Sequence, residues 1–181
     1  MLYKIQQKLE RLYGLLPLPD VRHFLISRHQ VQNISPHDRP QVLLINQADE
    51  AQIGVYLGPD IDVHALNDID VHNQNQYAIV AEEISHYLFV SWRLLHDQEL
   101  SLLDIEVQGE IDKFFLFADR QGFDHTTSSK VFNRSALRPD LEQEEKHRYK
   151  KAHLMGSSFV RKLLLHRHSR QELLSYLRTF Y

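Results

Sequence analysis

The sequence predicts an α+β fold folded as a single domain over residues 1–181. Three observations predict it: long stretches of helical periodicity in the C-terminal two thirds, a pair of β-rich runs between residues 41 and 58, and a hydrophobic content of 43% spread over 181 residues. That length and content suffice for one core and fall short of two independent ones.

The elements follow in chain order. Residues 3 to about 16 carry Ile5, Leu9, Leu12 and Leu15 at helical spacing, and Pro17 and Pro19 stop the helix. Residues 21–26 suit a short strand, and the Pro- and His-containing stretch 33–40 suits a loop. The runs 41–46 and 53–58 flank a polar connection, the pattern of a β-hairpin. Three long helices are expected at about 76–95, 100–119 and 140–165, the first two separated by His96-Asp97-Gln98. Between the second and third, residues 121–139 are rich in Ser, Thr, Asp and Gly and are expected to be irregular, either mobile or covering a site. Ser169 and Glu172 form a capping box ahead of Leu173, Leu174 and Leu177, so a short terminal helix closes the chain.

Composition narrows the chemistry. The chain has no cysteine, which removes disulfides and thiolate zinc sites and leaves His, Asp and Glu as the only metal ligands. The first eight residues lack the apolar run of a signal peptide, and no stretch reaches the roughly 18 apolar residues of a membrane span, so a cytoplasmic protein is expected. No Gly-rich nucleotide loop and no Ser-centred nucleophile elbow is present. The net charge of −3 hides an asymmetry: residues 1–145 hold 12 Lys+Arg against 23 Asp+Glu, and residues 146–181 hold 9 against one. The basic C-terminal helix either meets an acidic protein or peptide partner or neutralises the acidic body of its own chain. Its basic residues are not interleaved with stacking aromatics, which argues against nucleic acid.

The residues that bear chemistry sit on two consecutive helices, in Ala81-Glu82-Glu83-Ile84-Ser85-His86-Tyr87 and Ile105-Glu106-Val107-Gln108-Gly109-Glu110-Ile111-Asp112-Lys113. At about 100° per residue, Glu83 falls inside the apolar stripe of the first helix and Glu110 inside that of the second. His86 lies at the margin, and Glu82 turns away. The short break makes the helices antiparallel neighbours, which brings Glu83, His86, Glu106 and Glu110 within reach of one another and sets Glu83 opposite Lys113. Buried carboxylates cost several kcal/mol each unless neutralised. One solution is a divalent metal, zinc first, held by His86, Glu106 and Glu110. The other is a structural network in which Lys113 pairs with Glu83, and His86, Tyr87 or Tyr149 satisfies the remaining oxygens, with Glu82 and His153 as further members.

Glu82-Glu83-x-x-His86, following a hairpin and opening a helix, resembles the His-Glu-x-x-His helix of zincin metallopeptidases, with Glu82 in the place of the first histidine. The resemblance implies Glu83 as general base, His86 as a metal ligand, Glu106 or Glu110 as the ligand from the following helix, and a peptide or amide substrate. The order Glu10, Glu83 to His86, Glu110, Glu144 to His147 is similar to that of di-iron carboxylate proteins, although His147 points away from the inward stripe of its helix. The pair of motifs Glu-Glu-x-Ser-His and Glu-x-Gln-x-Glu-x-Asp-Lys is also similar to a group of bacterial proteins with no established activity. The function expected is a metal-dependent hydrolase. The alternatives are a non-catalytic structural or interaction protein and a di-iron carboxylate protein.

Overall fold

The computed structural model describes residues 1–47, 50–61, 73–133, 141–166 and 172. It is mostly helical, with one small antiparallel sheet, as the α+β expectation requires. No helix among the described residues is long and apolar enough to cross a membrane.

Helix α1 (Leu2–Tyr13) buries Leu2, Ile5, Leu9 and Tyr13 on one face, together with two polar residues, Gln6 and Glu10. Those two are satisfied by the chain that follows. Gln6 donates to Glu10 (2.8 Å) and to the carbonyls of Leu18 and Pro19, while Glu10 accepts from the Leu18 amide (3.0 Å) and Gln6 from the Val21 amide (2.9 Å). The proline-broken segment is thereby stitched back onto the helix it ends.

The strand expected at 21–26 is instead a 3-10 turn, Val21–Phe24, whose cap Asp20 accepts from the Arg22 amide; only Leu25 bridges the sheet, in parallel with Val55. A short helix α2 (Arg28–Gln32) follows, opened by a Ser27/Gln30 capping box. Strands β1 (Gln41–Gln47) and β2 (Glu50–Tyr56) pair antiparallel with Gln41 opposite Tyr56. The ladder continues to Gln47 and Glu50, so most of the polar connection expected between the strands belongs to them.

Helices α3 (Gln74–Leu95) and α4 (Leu102–Gln121) form the centre. Asp97, at φ 50°, turns the chain between them, in the left-handed region that Asp tolerates better than most residues. Ser101 caps α4 by accepting from the Asp104 amide. From Ile111 to Ala118 every residue of α4 is buried, and from Glu83 to Ser91 every residue of α3 is. A helix buried on all sides has no single inward stripe. α4 packs against α1, α3, α5 (His125–Asn133) and α6 (Gln143–His166). Helix α5 lies within the stretch 121–139 expected to be irregular. The terminal helix expected after Ser169 lies, Glu172 apart, outside the described residues.

Two glycines set how closely the helices approach. A Cβ on Gly109 would stand 2.8 Å from His86 Nε2, and one on Gly156 would stand 2.9 Å from Glu110 Cβ. α3 and α6 therefore lie against α4 at the turns that carry the glutamates.

Candidate metal centre

The acidic residues do turn inward. Glu83 is 3% exposed, Glu110 5%, His86 6% and Glu106 8%, and Lys113 is buried among them. Glu82 is half-buried.

Two linked groups result. In the first, His86 Nε2 lies 3.7 Å from Glu106 Oε2, and His86 Nδ1 lies 3.7 Å from Glu83 Oε2. One ligand atom each from Glu82, His86 and Glu106 fall within 4.8 Å of one another, the arrangement of a group able to hold a metal ion. Both His86 Nε2 and Glu106 Oε2 are buried and lack a hydrogen-bond partner among the described residues. Arg148 of α6 stands 3.8 Å from the other oxygen of Glu106.

In the second group, Lys113 donates to Glu110 (2.6 Å) and Glu82 (3.1 Å), and His153 Nδ1 meets the remaining Glu110 oxygen at 3.0 Å. The structure thus brings together Glu82, Glu83, His86, Glu106, Glu110, Lys113 and His153, with changed partners. Lys113 faces Glu82 rather than Glu83, and Glu82, which the helical wheel turned away, shares a cluster with His86 and Glu106. Glu110 is engaged by Lys113 and His153. Tyr149 is half-buried on α6. The other ordering of ligands does not assemble: Glu10 is bonded to Gln6 and the Leu18 amide, and Glu144 and His147 are exposed.

The electrostatics follow from burial and neighbours. Burial disfavours a charged His86, yet the Glu83 contact and the charges of Glu106, Glu83 and Glu82 outweigh it and raise the imidazole to about 9. Burial pushes Glu106 up to about 7, with Glu82 and Glu83 adding to the rise and His86 and Arg148 opposing it. Burial works the same way on Glu110, but Lys113 and His153 overcome it and bring the carboxyl down to about 2. Lys113 is disfavoured by burial and nevertheless held above the ordinary lysine range by Glu82 and Glu110.

A third set of residues escaped the sequence reading. Asp112, fully buried, accepts from Tyr13, Ser85 (2.6 Å) and Gln108 (3.0 Å), and Gln108 also donates to Tyr13 (2.6 Å). Burial, against these hydrogen bonds, raises Asp112 to about 6. The network ties α1, α3 and α4 together one residue from His86. The Gln108/Asp112 spacing of four was its only sequence signal, and nothing in that spacing named Tyr13, which lies 95 residues from Gln108.

Comparison with protein-family models, curated proteins and solved structures returned no match. The buried Glu82/His86/Glu106 group is therefore the feature on which a functional reading rests.

Proposed function

We propose that the chain is a metal-dependent hydrolase of zincin type, with a divalent ion held by Glu82, His86 and Glu106 and Glu83 as general base toward a peptide or amide substrate. The observation that carries the reading is the pair of orphaned, buried atoms, His86 Nε2 and Glu106 Oε2, facing each other at 3.7 Å with Glu82 alongside. Buried polar atoms are nearly always satisfied, and those that are not call for a ligand or a role. Donors of one tetrahedral ion at 2.0–2.2 Å stand roughly 3.4 Å apart, so the group closes on an ion through side-chain shifts of about 1 Å.

The set differs in one member from the sequence expectation, with Glu82 in place of Glu110, and in that form it matches the zincin spacing position by position. Glu82 stands where the first ligand stands, Glu83 where the base stands, His86 where the second ligand stands, and Glu106 supplies the ligand from the next helix. A metal in such a site brings the acidity of bound water toward about 7. Glu83 Oε2 stands 3.7 Å from His86 Nδ1, the ring nitrogen away from the ion position, and would have to turn toward a bound water to act as its base.

One observation favours a second reading, a structural ion-pair network: Lys113 already pairs with Glu82 and Glu110, and Arg148 approaches Glu106. Metal analysis separates the two. Protein purified without chelators and supplemented with zinc is expected to retain about one ion per chain, His86→Ala to lose it, and the wild-type chain to cleave members of a peptide library. Glu83→Gln is expected to keep the metal and lose activity by at least about 10²-fold. Loss of metal in Glu83→Gln would leave that residue an orienting role alone. Retention below about 0.1 ion per chain would end the metal reading, given the affinity of such sites.

A further inference from the structure

We infer that the chain associates with a second copy of itself, the basic outward face of α6 on one copy seated against the acidic turn between α3 and α4 on the other. The inference is independent of the metal reading. At about 100° per residue the outward face of α6 carries Leu154 and Leu165 along its midline, with Lys150 and Arg161 on one flank and Lys151 and Lys162 on the other. Leu154 is 66% exposed and Leu165 70%, while the opposite face of the same helix is buried through Ala152, Gly156 and Val160. Exposed leucines scattered singly call for no explanation. Two in one row, rimmed on both sides by cations, have the layout of an interface, apolar in the middle and polar at the edge.

The matching surface is the turn between α3 and α4. Leu95, the last residue of α3, is 66% exposed, and Leu102, the first of α4, is 63% exposed. Asp97, Glu99 and Asp104 are exposed around them. None of these acids, and none of the four α6 cations, enters an ion pair among the described residues. Arg93, the one arginine near the turn, is turned back onto the rings of Phe89 and Trp92 and donates to Gln98. Two α6 faces meeting each other would set cations against cations, which opposes association. A lipid surface calls for a broad apolar face with aromatic residues, whereas the outward face of α6 is narrow and has no exposed Phe, Trp or Tyr. A second copy complements both parts at once, leucines against leucines and an acidic rim against a basic one. Made reciprocally, the contact closes a dimer; made head to tail, it extends to larger assemblies.

The test is sedimentation velocity of the full chain from about 5 to 500 µM, since a contact of this limited size is expected to dissociate at about 10–100 µM. Salt at about 0.5 M is expected to weaken the association, because the rims are exposed and screened. Trp92, the chain's single tryptophan, stacks on His96 at 4.2 Å beside the turn, so its emission is expected to shift as the copies associate. Charge reversal on α6 (Lys150→Glu/Lys151→Glu/Lys162→Glu) and at the turn (Glu99→Lys/Asp104→Lys) are each expected to give a monomer with unchanged helical circular dichroism. A mixture of the two reversed chains is expected to associate again, because it still holds one native basic face and one native acidic turn. Leu154→Ser and Leu102→Ser, which leave the charges in place, are expected to weaken association at least about tenfold, and they decide the matter should a reversed chain fail to fold. A wild-type chain that stays monomeric throughout would overturn the inference, and if it then cosediments with phosphatidylserine vesicles the α6 face belongs to a lipid surface. Association that survives reversal of the turn, or a mixture that stays monomeric, would overturn it as well.

Discussion

Glu110 shows most plainly how a buried charge is held. Burial raises the cost of ionising it, but Lys113 and His153 bring it from 4.5 down to about 2. A carboxyl whose folded value lies below its unfolded one contributes stability above the unfolded value and loses it as pH falls toward the folded one. The contribution of Glu110 is therefore present at neutral pH and fades between about pH 4.5 and 2, and at 1.36 kcal/mol per unit it is on the order of 3 kcal/mol. Urea unfolding of wild type and Glu110→Gln across pH 2–7 is expected to give stabilities that differ most at neutral pH and converge in acid. Parallel curves would contradict the assignment. His86 has the opposite sign: its raised value favours the folded state below its unfolded value, and the benefit is lost as pH rises through about 9. Glu110 was legible in the sequence as an inward-facing residue, and His86 as one at the margin of its stripe. Their partners were not, because a wheel gives the direction of a side chain and not which of several packed neighbours it meets.

At the scale of elements, the close approach of α6 to α4 makes a sharp prediction. Replacing a mid-helix glycine by alanine ordinarily gains up to about 1 kcal/mol. At Gly156 the new Cβ would stand 2.9 Å from Glu110 Cβ, an atom that no rotamer change can move aside. Gly156→Ala is expected to lower stability by about 1–3 kcal/mol, measured by thermal or urea unfolding, as overpacking does. A stabilised variant would show that the helices do not meet there. The same packing explains what the sequence could and could not reveal. The long helices were visible because their apolar residues recur at helical spacing, and the hairpin because two β-rich runs flank a polar connection. The strand expected at 21–26 became a 3-10 turn because the Asp20 side chain caps it and Gln6 receives the Val21 amide, contacts that no local pattern announces. Glu82 was assigned outward on the assumption of one buried face, whereas α3 is buried around nearly its whole circumference through residues 83–91.

For the molecule as a whole, charge balance decides what the centre can hold. Glu82, Glu83, Glu106 and Glu110 face two permanent cations, Lys113 and Arg148. Two negative charges remain, which either protons taken up within the cluster or one divalent ion can neutralise. Part of the basic C-terminal helix serves this purpose, since Arg148 turns toward Glu106 and Glu145, while Lys150, Lys151, Arg161 and Lys162 stay exposed. An ion that binds only the folded chain raises its stability by about 2.7 kcal/mol at a hundredfold excess over Kd, so added zinc is expected to raise the melting temperature of the wild type and not of His86→Ala. The most direct measurement is X-ray absorption at the zinc edge of the loaded, dialysed protein. The account predicts a first shell of nitrogen and oxygen at about 2.0–2.2 Å with one imidazole, and loss of the imidazole signal in His86→Ala. Zinc that washes out on dialysis, or a shell unchanged by removing His86, would contradict it.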